Sequence, residues 1–225
     1  MSSTFSSHFR RNVCLAVFIF SSHFAVAQTP ARGEVQILRV ATTGSGCPEG
    51  SVQVILAPDA SAITVLYDRY NLSVTAAAPN ASMECDVMVD LRKPRDFGFS
   101  IESADFRGFV FLDEGMTAEQ KVQIQSGPVK GIRKITSEFG SHIWSGPFRD
   151  EYLLNAQRTV RRPEVLDCVP PRAETKIIIN SIVRIHPNAT PGSGQVSVDS
   201  LDGRVLQKYH LQWQSCGHGR GNSEH

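Results

Sequence analysis

The sequence predicts an all-β fold: a single antiparallel β-sandwich, cross-linked by two disulfides and preceded by a cleaved signal peptide. Nearly every periodic segment alternates apolar and polar residues, and turns rich in glycine, proline and aspartate separate these segments. These two observations predict the sheets. A third observation, the four cysteines that follow the leader, predicts the cross-links.

The N-terminal segment has the three parts of a secretory leader. Arg10 and Arg11 form a positive region, residues 13–20 form a short apolar core, and Ala25-Val26-Ala27 is a small-residue cleavage site. The core is too short for a helix across a bilayer of about 30 Å, which disfavours a retained membrane anchor. We therefore expect cleavage after Ala27. The predicted organisation is a signal peptide at 1–27, one β-sandwich domain at 28–217 and a flexible tail at 218–225.

The charge balance argues against polyanionic partners. Without the two arginines of the leader, the mature chain has 21 basic and 22 acidic side chains, a net charge of −1. A chain so close to neutral has no electrostatic attraction for nucleic acid or for an anionic membrane. We therefore expect no nucleic-acid partner, and no membrane partner after signal cleavage.

Alternating segments give the predicted strands of the first half of the chain. In the clearest strand, Met83 to Arg92, the odd-numbered side chains share one face, which places Cys85 in the core. Further strands are predicted within 35–40, 52–56, 62–67, 97–101, 109–112 and 121–125. Gly108 is a predicted turn or bulge between two of them.

The second half contains one segment that the pattern leaves open to helix. The β-branched run Lys176–Val183 is typical of a buried strand, whereas residues 150–157 could form a helical turn. Residues 156–175 are predicted to form a surface connection rather than a linker between two domains. Near the C-terminus, Asp202-Gly203 predicts a hairpin turn between a strand with Val196 and Val198 and a strand that returns through Trp213.

The cysteines predict the cross-links. Cys47, Cys85, Cys168 and Cys216 remain in the mature chain, and an even number in an exported chain is typical of disulfides. Their spacing does not fit a zinc motif. Three pairings are possible. We expect Cys47–Cys85 and Cys168–Cys216, because each of these pairs joins residues from the same half of the chain.

Several short motifs occur in a familiar order. They are the turn Gly44–Ser51, Phe106-Arg107-Gly108-Phe109, Leu112-Asp113-Glu114-Gly115, Ser145-Gly146-Pro147, Asn180 in an isoleucine-rich strand, and Leu211–Cys216. In this order the chain resembles a family of secreted proteins catalogued only as domain of unknown function 4360, over almost the whole mature length. Val169-Pro170 depart from the family pattern, which often has a glycine after the third cysteine. The resemblance implies export and one domain, and it supplies no activity or site residue.

One stretch contains the residue types of a hydrolase triad. Ser141-His142, Ser145 and Asp150 lie close together in the sequence. A triad needs a serine on a strained turn, a histidine within hydrogen-bond reach and an acid that orients it. Because no G-x-S-x-G elbow is present, we expect a polar loop and no catalytic residue.

Charged clusters in turns and in the tail give no expected site. Asp113-Glu114 and Asp199 with Asp202 have calcium-type oxygens but no EF-hand spacing. The tail contains His218, Glu224 and His225, and a basic cluster contains Arg158, Arg161 and Arg162. We expect turn acids, a loose tail and a solvated loop, with no metal and no cofactor.

Aromatic residues suggest one class of ligand. A platform for sugar rings could be drawn from Tyr67, Tyr70, Trp144, Tyr152, Tyr209 and Trp213, although aromatic side chains more often pack in a core. Tyr209 and Trp213 share a face with Leu211 and are predicted core residues. Trp144 lies among turn residues, so it is the best candidate for an exposed side chain and for a ligand-binding residue.

Three sequons fit the rule for N-linked glycosylation. They are Asn71-Leu72-Ser73, Asn80-Ala81-Ser82 and Asn188-Ala189-Thr190. They carry glycans only in a eukaryotic source.

Together these features predict a secreted, non-catalytic β-sandwich that serves as a surface, matrix or binding module. Its expected partner is an extracellular protein or a glycan. A carbohydrate-binding domain is the first alternative, which an exposed Trp144 beside a groove would favour. A secreted hydrolase is the second, which a buried Ser–His–acid cluster would favour.

Overall fold

The computed structural model describes residues 29–128, 135–158, 168, 173–198 and 207–216. The predicted leader, the C-terminal tail, the Asp202-Gly203 turn with Asp199, and Arg161-Arg162 lie outside these residues. The described strands are β1 (Gln36–Thr43), β2 (Val52–Leu56), β3 (Ala62–Tyr67), β4 (Asn71–Val74), β5 (Ala81–Arg92), β6 (Phe97–Leu112), β7 (Met116–Pro128), β8 (Ile135–Ser145), β9 (Phe148–Gln157), β10 (Glu174–Pro187), β11 (Gly194–Ser197) and β12 (Gln207–Ser215).

Two antiparallel sheets pack face to face, which confirms the predicted β-sandwich. Sheet A has the order β1-β5-β10-β7-β8. Sheet B has the order β2-β3-β12-β6-β11-β4, and β9 pairs with β6 outside that path. Among the described strands, β8 therefore ends sheet A and β9 borders sheet B, and both have one edge without a partner strand.

The long strand β6 organises sheet B. It pairs with β9 along Ser103–Leu112, and on its opposite edge it pairs first with β12 and then with β11. β11 and β12 therefore lie end to end beside β6 and do not pair with each other. For the residues that the structure describes, the predicted pairing of these two strands is wrong, because β11 lies between β4 and β6 and β12 lies between β3 and β6. The predicted turn at Asp202-Gly203 lies outside those residues.

Gly108 lies inside β6, so the predicted turn at this position is wrong. The irregularity in β6 occurs beside Glu102, where the pairing with β12 skips one residue. A Cβ atom at Gly108 would lie 2.2 Å from the Ser197 carbonyl oxygen and 2.6 Å from the Tyr152 hydroxyl. The glycine is therefore needed because β11 and Tyr152 approach the backbone of β6 closely.

The helical turn predicted at residues 150–157 is also wrong. These residues belong to β9, which pairs with β6 residue by residue from Phe148 to Gln157. Tyr152 is buried and Leu154 and Ala156 are half-buried, whereas Leu153 is 76% exposed. The segment is thus a strand with one inward face. Because Ala156 and Gln157 lie in β9, the surface connection begins later than the sequence predicts.

The inward faces of the two sheets form one core. In β5 the side chains of Cys85, Val87, Val89 and Leu91 are fully buried, as the alternation predicts. The buried tyrosines satisfy their hydroxyls within this core. Tyr67 and Tyr209 both donate to Gln207 Oε1, at 2.8 and 2.6 Å, and Tyr70 donates to the Ser181 carbonyl at 2.7 Å.

Both predicted disulfides are confirmed. Cys47 is bonded to Cys85 and Cys168 to Cys216, with Cα–Cα distances of 5.3 and 5.2 Å. The turn before Cys47 lies directly on β5, where the Gly46 N–H donates to the Glu84 carbonyl at 2.8 Å. Gly44 has a φ of +117°, a conformation that favours glycine, and this bend brings Cys47 to Cys85.

Candidate functional site

A cleft opens between β8 and β9, where the unpaired edges of the two sheets face each other. Its volume is about 320 Å³. The lining residues come from four strands and are Phe106, Gln120, Val122, Phe139, Ser141, His142, Leu153, Leu154, Asn155 and Ala156. The cleft thus has an aromatic and aliphatic wall with a few polar groups, the usual composition of a small-ligand site.

Gln120 is the polar group set deepest in this wall. Its side chain lies at an inward position of β7 and is 3% exposed. Its Oε1 atom accepts a hydrogen bond of 3.0 Å from the Tyr152 hydroxyl, whereas Nε2 is buried and has no hydrogen-bond partner among the described residues. An unpaired buried donor costs about 1–3 kcal/mol, so the amide is a ready partner for an acceptor that enters the cleft.

Trp144 holds the neighbouring side chains in place. Its ring centroid lies 4.8 Å from that of Tyr152 and 4.5 Å from that of His142. Trp144 is only 5% exposed, so the prediction that it is exposed is wrong. The reason is that Tyr152 of β9 and His142 of its own strand cover its two sides. Trp144 is therefore placed to orient Tyr152, and Tyr152 in turn orients Gln120.

The described lining of the cleft contains no aspartate, glutamate, lysine or arginine. Asn155 is already paired, since its Nδ2 donates to Asp105 Oδ1 at 2.6 Å and its Oδ1 accepts from Gln157 Nε2 at 2.9 Å. Burial raises the pKa of Tyr152 well above its usual value, so the phenol stays neutral and continues to donate to Gln120. The described lining therefore has no carboxylate, ammonium or guanidinium group.

The residues of the hypothetical triad do not form one within the described parts of the chain. His142 contacts the ring of Trp144 and makes no hydrogen bond to Ser141, Ser145 or Asp150 there. The Asp150 carboxylate instead accepts the Glu151 N–H at 2.8 Å. These residues lack the chain of contacts that activates a serine.

Of the calcium-type acids considered from the sequence, the structure describes Asp113 and Glu114, which lie in the turn between β6 and β7. Asp113 Oδ2 accepts the Ser193 N–H at 2.7 Å and so ties the β6–β7 turn to the loop before β11. Within the described residues there is no group of three or more potential metal ligands. His218, Glu224 and His225, like Asp199 and Asp202, lie outside those residues.

The other candidate aromatic residues pack in the core. Tyr67, Tyr70, Tyr209 and Trp213 are each 6% exposed or less, which matches the prediction for Tyr209 and Trp213. The Trp213 indole N–H donates to the Ala60 carbonyl at 2.8 Å. No sugar platform can be assembled from these buried rings.

A second, wider depression of about 400 Å³ lies beside Trp213 and β12. Its charged groups already have partners: Asp59 accepts from Ser61, Glu102 pairs with Arg158, and His210 lies 2.7 Å from Asp105. Unlike the β8–β9 cleft, it has no unpaired buried donor among its described lining residues.

Sequence reasoning missed Gln120. The signal was present, because Ala118, Gln120, Val122 and Ile124 occupy the inward positions of one alternating strand. A polar amide among apolar inward residues needs a partner, and such a residue marks either a core network or a site.

Comparisons with known proteins identify relatives. A family model described as Domain of unknown function (DUF4360) matches residues 33–216. An "Uncharacterized secreted protein" of Arthroderma benhamiae is 30% identical over 193 residues, which cover 83% of this chain and 74% of that protein. These matches confirm the family resemblance and the predicted secretion. In the described part of the chain, no helix has the length and apolar character needed to cross a membrane.

Two solved structures show limited likeness. One is TmCBM61 in complex with beta-1,4-galactotriose, with 9% identity, a TM-score of 0.22, and coverage of 78% of this chain and 88% of that chain. The other is a family 11 carbohydrate-binding module from Clostridium thermocellum, with 12% identity, a TM-score of 0.24, and coverage of 78% and 95%. TM-scores of this size identify no shared function.

Proposed function

We propose that this chain, which belongs to the family described as domain of unknown function 4360, is a non-catalytic binding module whose β8–β9 cleft takes a neutral, hydroxyl-rich ligand such as the end of a glycan. The observation that carries the proposal is the Gln120 amide. Its Nε2 donor is buried in the cleft wall and has no partner among the described residues, while its Oε1 accepts a hydrogen bond from Tyr152.

The chemistry of the lining favours a neutral ligand. A bound ionic group would lose its hydration in the cleft, and the described lining offers no opposite charge in return. A sugar hydroxyl can accept from Gln120 Nε2, and the apolar face of its ring can pack on Leu153, the lining side chain that is 76% exposed. These two contacts need no charge on either partner.

The size of the cleft favours a short ligand segment. A volume of about 320 Å³ is near the lower end of the range of roughly 300–1,000 Å³ that is typical of ligand sites. The cleft therefore suits one or two sugar rings rather than a long stretch of polysaccharide.

The same lining supports binding without hydrolysis. Most glycosidases use two carboxylates that flank the scissile bond. The described lining contains none, and His142 has no acid partner within the described residues. A bound sugar would therefore find no carboxylate in the described lining to act as nucleophile or general acid.

The test is a titration of the secreted protein with a panel of neutral mono- and oligosaccharides. Binding is measured by calorimetry and by NMR of the side-chain amides. We expect the Gln120 amide resonances to shift on binding. Gln120→Leu removes the amide and keeps a side chain of similar size, so it should weaken binding about tenfold, the equivalent of one hydrogen bond. Ala156→Phe should fill the cleft and abolish binding.

Ile143→Ala provides the matched control, because Ile143 lies on β8 beside the cleft, is 60% exposed and does not line it. It should bind like the wild type. If the panel leaves the Gln120 resonances unmoved, or if Gln120→Leu binds as well as the wild type, the proposed ligand class is wrong. If the protein hydrolyses a sugar or ester and folded His142→Ala loses that activity, the non-catalytic assignment is wrong.

A further inference from the structure

A sequon for N-linked glycosylation lies at the start of β5. Asn80 begins the sequon Asn80-Ala81-Ser82 and follows the tight turn in which the Ala78 N–H donates to the Thr75 carbonyl at 3.0 Å. Asn80 and Ser82 are both exposed. Among the described residues, the Asn80 side chain makes no hydrogen bond or ion pair, so its Nδ2 atom is free to be substituted.

We propose that Asn80 carries an N-linked glycan in the secreted protein. The chain is secreted, and its relative in Arthroderma benhamiae comes from a eukaryote, in which the secretory pathway modifies such sequons. The Asn80 Nδ2 atom forms a bond to the anomeric carbon of an oligosaccharide and loses one proton. The bond from that carbon to the diphosphate of a lipid-linked donor breaks, and the diphosphate leaves with the bonding electrons.

The other two sequons each have a constraint that Asn80 lacks. Asn71 lies within β4, and its Oδ1 atom accepts a hydrogen bond of 3.2 Å from Gln195 Nε2. Asn188 is exposed, but its sequon ends at Thr190, directly before Pro191, and a proline restricts the backbone of the preceding residue. Asn80 is therefore the sequon that we expect to be occupied to the greatest extent.

The fold accommodates a glycan at Asn80 without closing the cleft. Asn80 directly precedes Ala81, which pairs with Ile185 at the end of sheet A where β10 ends. β5 is three strands from β8 in that sheet, which corresponds to about 14 Å at the usual strand spacing. The glycan would thus extend from a corner of the sandwich that is separate from Gln120.

In the test, the full chain is expressed with its own leader in a eukaryotic secretion host. The glycosylated positions of the secreted protein are then mapped. Enzymatic release of N-glycans in ¹⁸O-water converts an occupied asparagine to a labelled aspartate, and peptide mass spectrometry then gives the occupancy of each sequon. We expect the highest occupancy at Asn80. Ser82→Ala should abolish label at Asn80, while Ser82→Thr, which keeps the sequon, should retain it.

These substitutions leave Asn80 in place, so they separate modification from any structural role of its side chain. The outcome does not depend on what the cleft binds. An unmodified Asn80 in secreted, folded wild-type protein would overturn the proposal. Higher occupancy at Asn71 or Asn188 than at Asn80 would overturn the choice of site, and label at Asn80 in Ser82→Ala would show that the sequon is not responsible.

Discussion

The Tyr152 hydroxyl donates a hydrogen bond of 3.0 Å to Gln120 Oε1, and both side chains are buried. Tyr152 belongs to β9 in sheet B and Gln120 to β7 in sheet A, so this bond joins the two sheets at their open edge. It also fixes the orientation of the Gln120 amide, so that Nε2 is the atom without a partner in the described part of the chain. The same contact therefore contributes to stability and determines the chemistry of the cleft.

Tyr152→Phe should destabilise the protein by about 1–2 kcal/mol, because Gln120 Oε1 becomes a buried acceptor without a donor. The measurement is denaturant unfolding followed by far-UV circular dichroism. Tyr67→Phe is the matched control: Gln207 Oε1 keeps the Tyr209 hydroxyl as a donor, so the loss should be smaller. A larger loss for Tyr67→Phe would contradict this account of the two bonds.

Removal of either disulfide should cost a similar amount of stability. The bonds join residues separated by 38 and 48 positions, for which loop entropy gives about 4 kcal/mol each. We expect Cys47→Ala/Cys85→Ala and Cys168→Ala/Cys216→Ala to lose comparable free energies of unfolding. Together the two bonds contribute much of the free energy of unfolding of a typical domain, which is about 5–15 kcal/mol. A reductant should therefore strongly lower the urea concentration at the midpoint of unfolding. An unchanged midpoint after complete reduction would refute the entropic account.

The protein should lose stability sharply above about pH 10, the ordinary pKa of tyrosine. The chain has four tyrosines, and burial raises the pKa of all of them: Tyr67, Tyr70, Tyr152 and Tyr209. Above pH 10 the unfolded chain releases phenolic protons that the folded chain keeps, so unfolding becomes more favourable as pH rises. Each tyrosine adds up to about 1.4 kcal/mol per pH unit in this range.

The measurement is phenolate absorbance and circular dichroism during one alkaline titration. The two signals should change together in a single transition, because no tyrosine can ionise before the fold opens. If some tyrosines ionise near pH 10 while the circular dichroism remains native, those side chains are not buried as described.

Gly46→Ala should destabilise the turn that carries Cys47. The added Cβ would lie 2.5 Å from the Tyr70 ring, which cannot move away easily because its hydroxyl is bonded to the Ser181 carbonyl. We expect this overpacking to lower the free energy of unfolding by about 2–3 kcal/mol. Gly50→Ala is the control: it meets no atom within 4 Å and costs about 1 kcal/mol for its positive φ. In thermal unfolding, the melting temperature of Gly46→Ala should be lower than that of Gly50→Ala. The reverse order would contradict the packing argument.

N-terminal sequencing of secreted protein should begin at Gln28. The A-x-A site before it and the apolar core upstream are the features that signal peptidase recognises. Protein that is exported with Met1 still present would contradict the predicted cleavage.

Local pattern alone determined a large part of this fold. Alternation placed the odd-numbered residues of β5 in the core, and the position of each cysteine within its half of the chain gave the correct pairing. These features are readable because side-chain direction in a strand has a period of two, and because one face must be buried.

Tertiary structure decided which edges and side chains meet. Residues 150–157 have no clear alternation, and their pairing with β6, some fifty positions earlier, makes them a strand. The described residues of β11 and β12 do not pair with each other as expected, because both strands pair with the same edge of β6. Gln120 and Trp144 acquire their surroundings from Tyr152 in the opposite sheet. Contacts between distant segments depend on packing across the whole sandwich, and no local sequence window contains them.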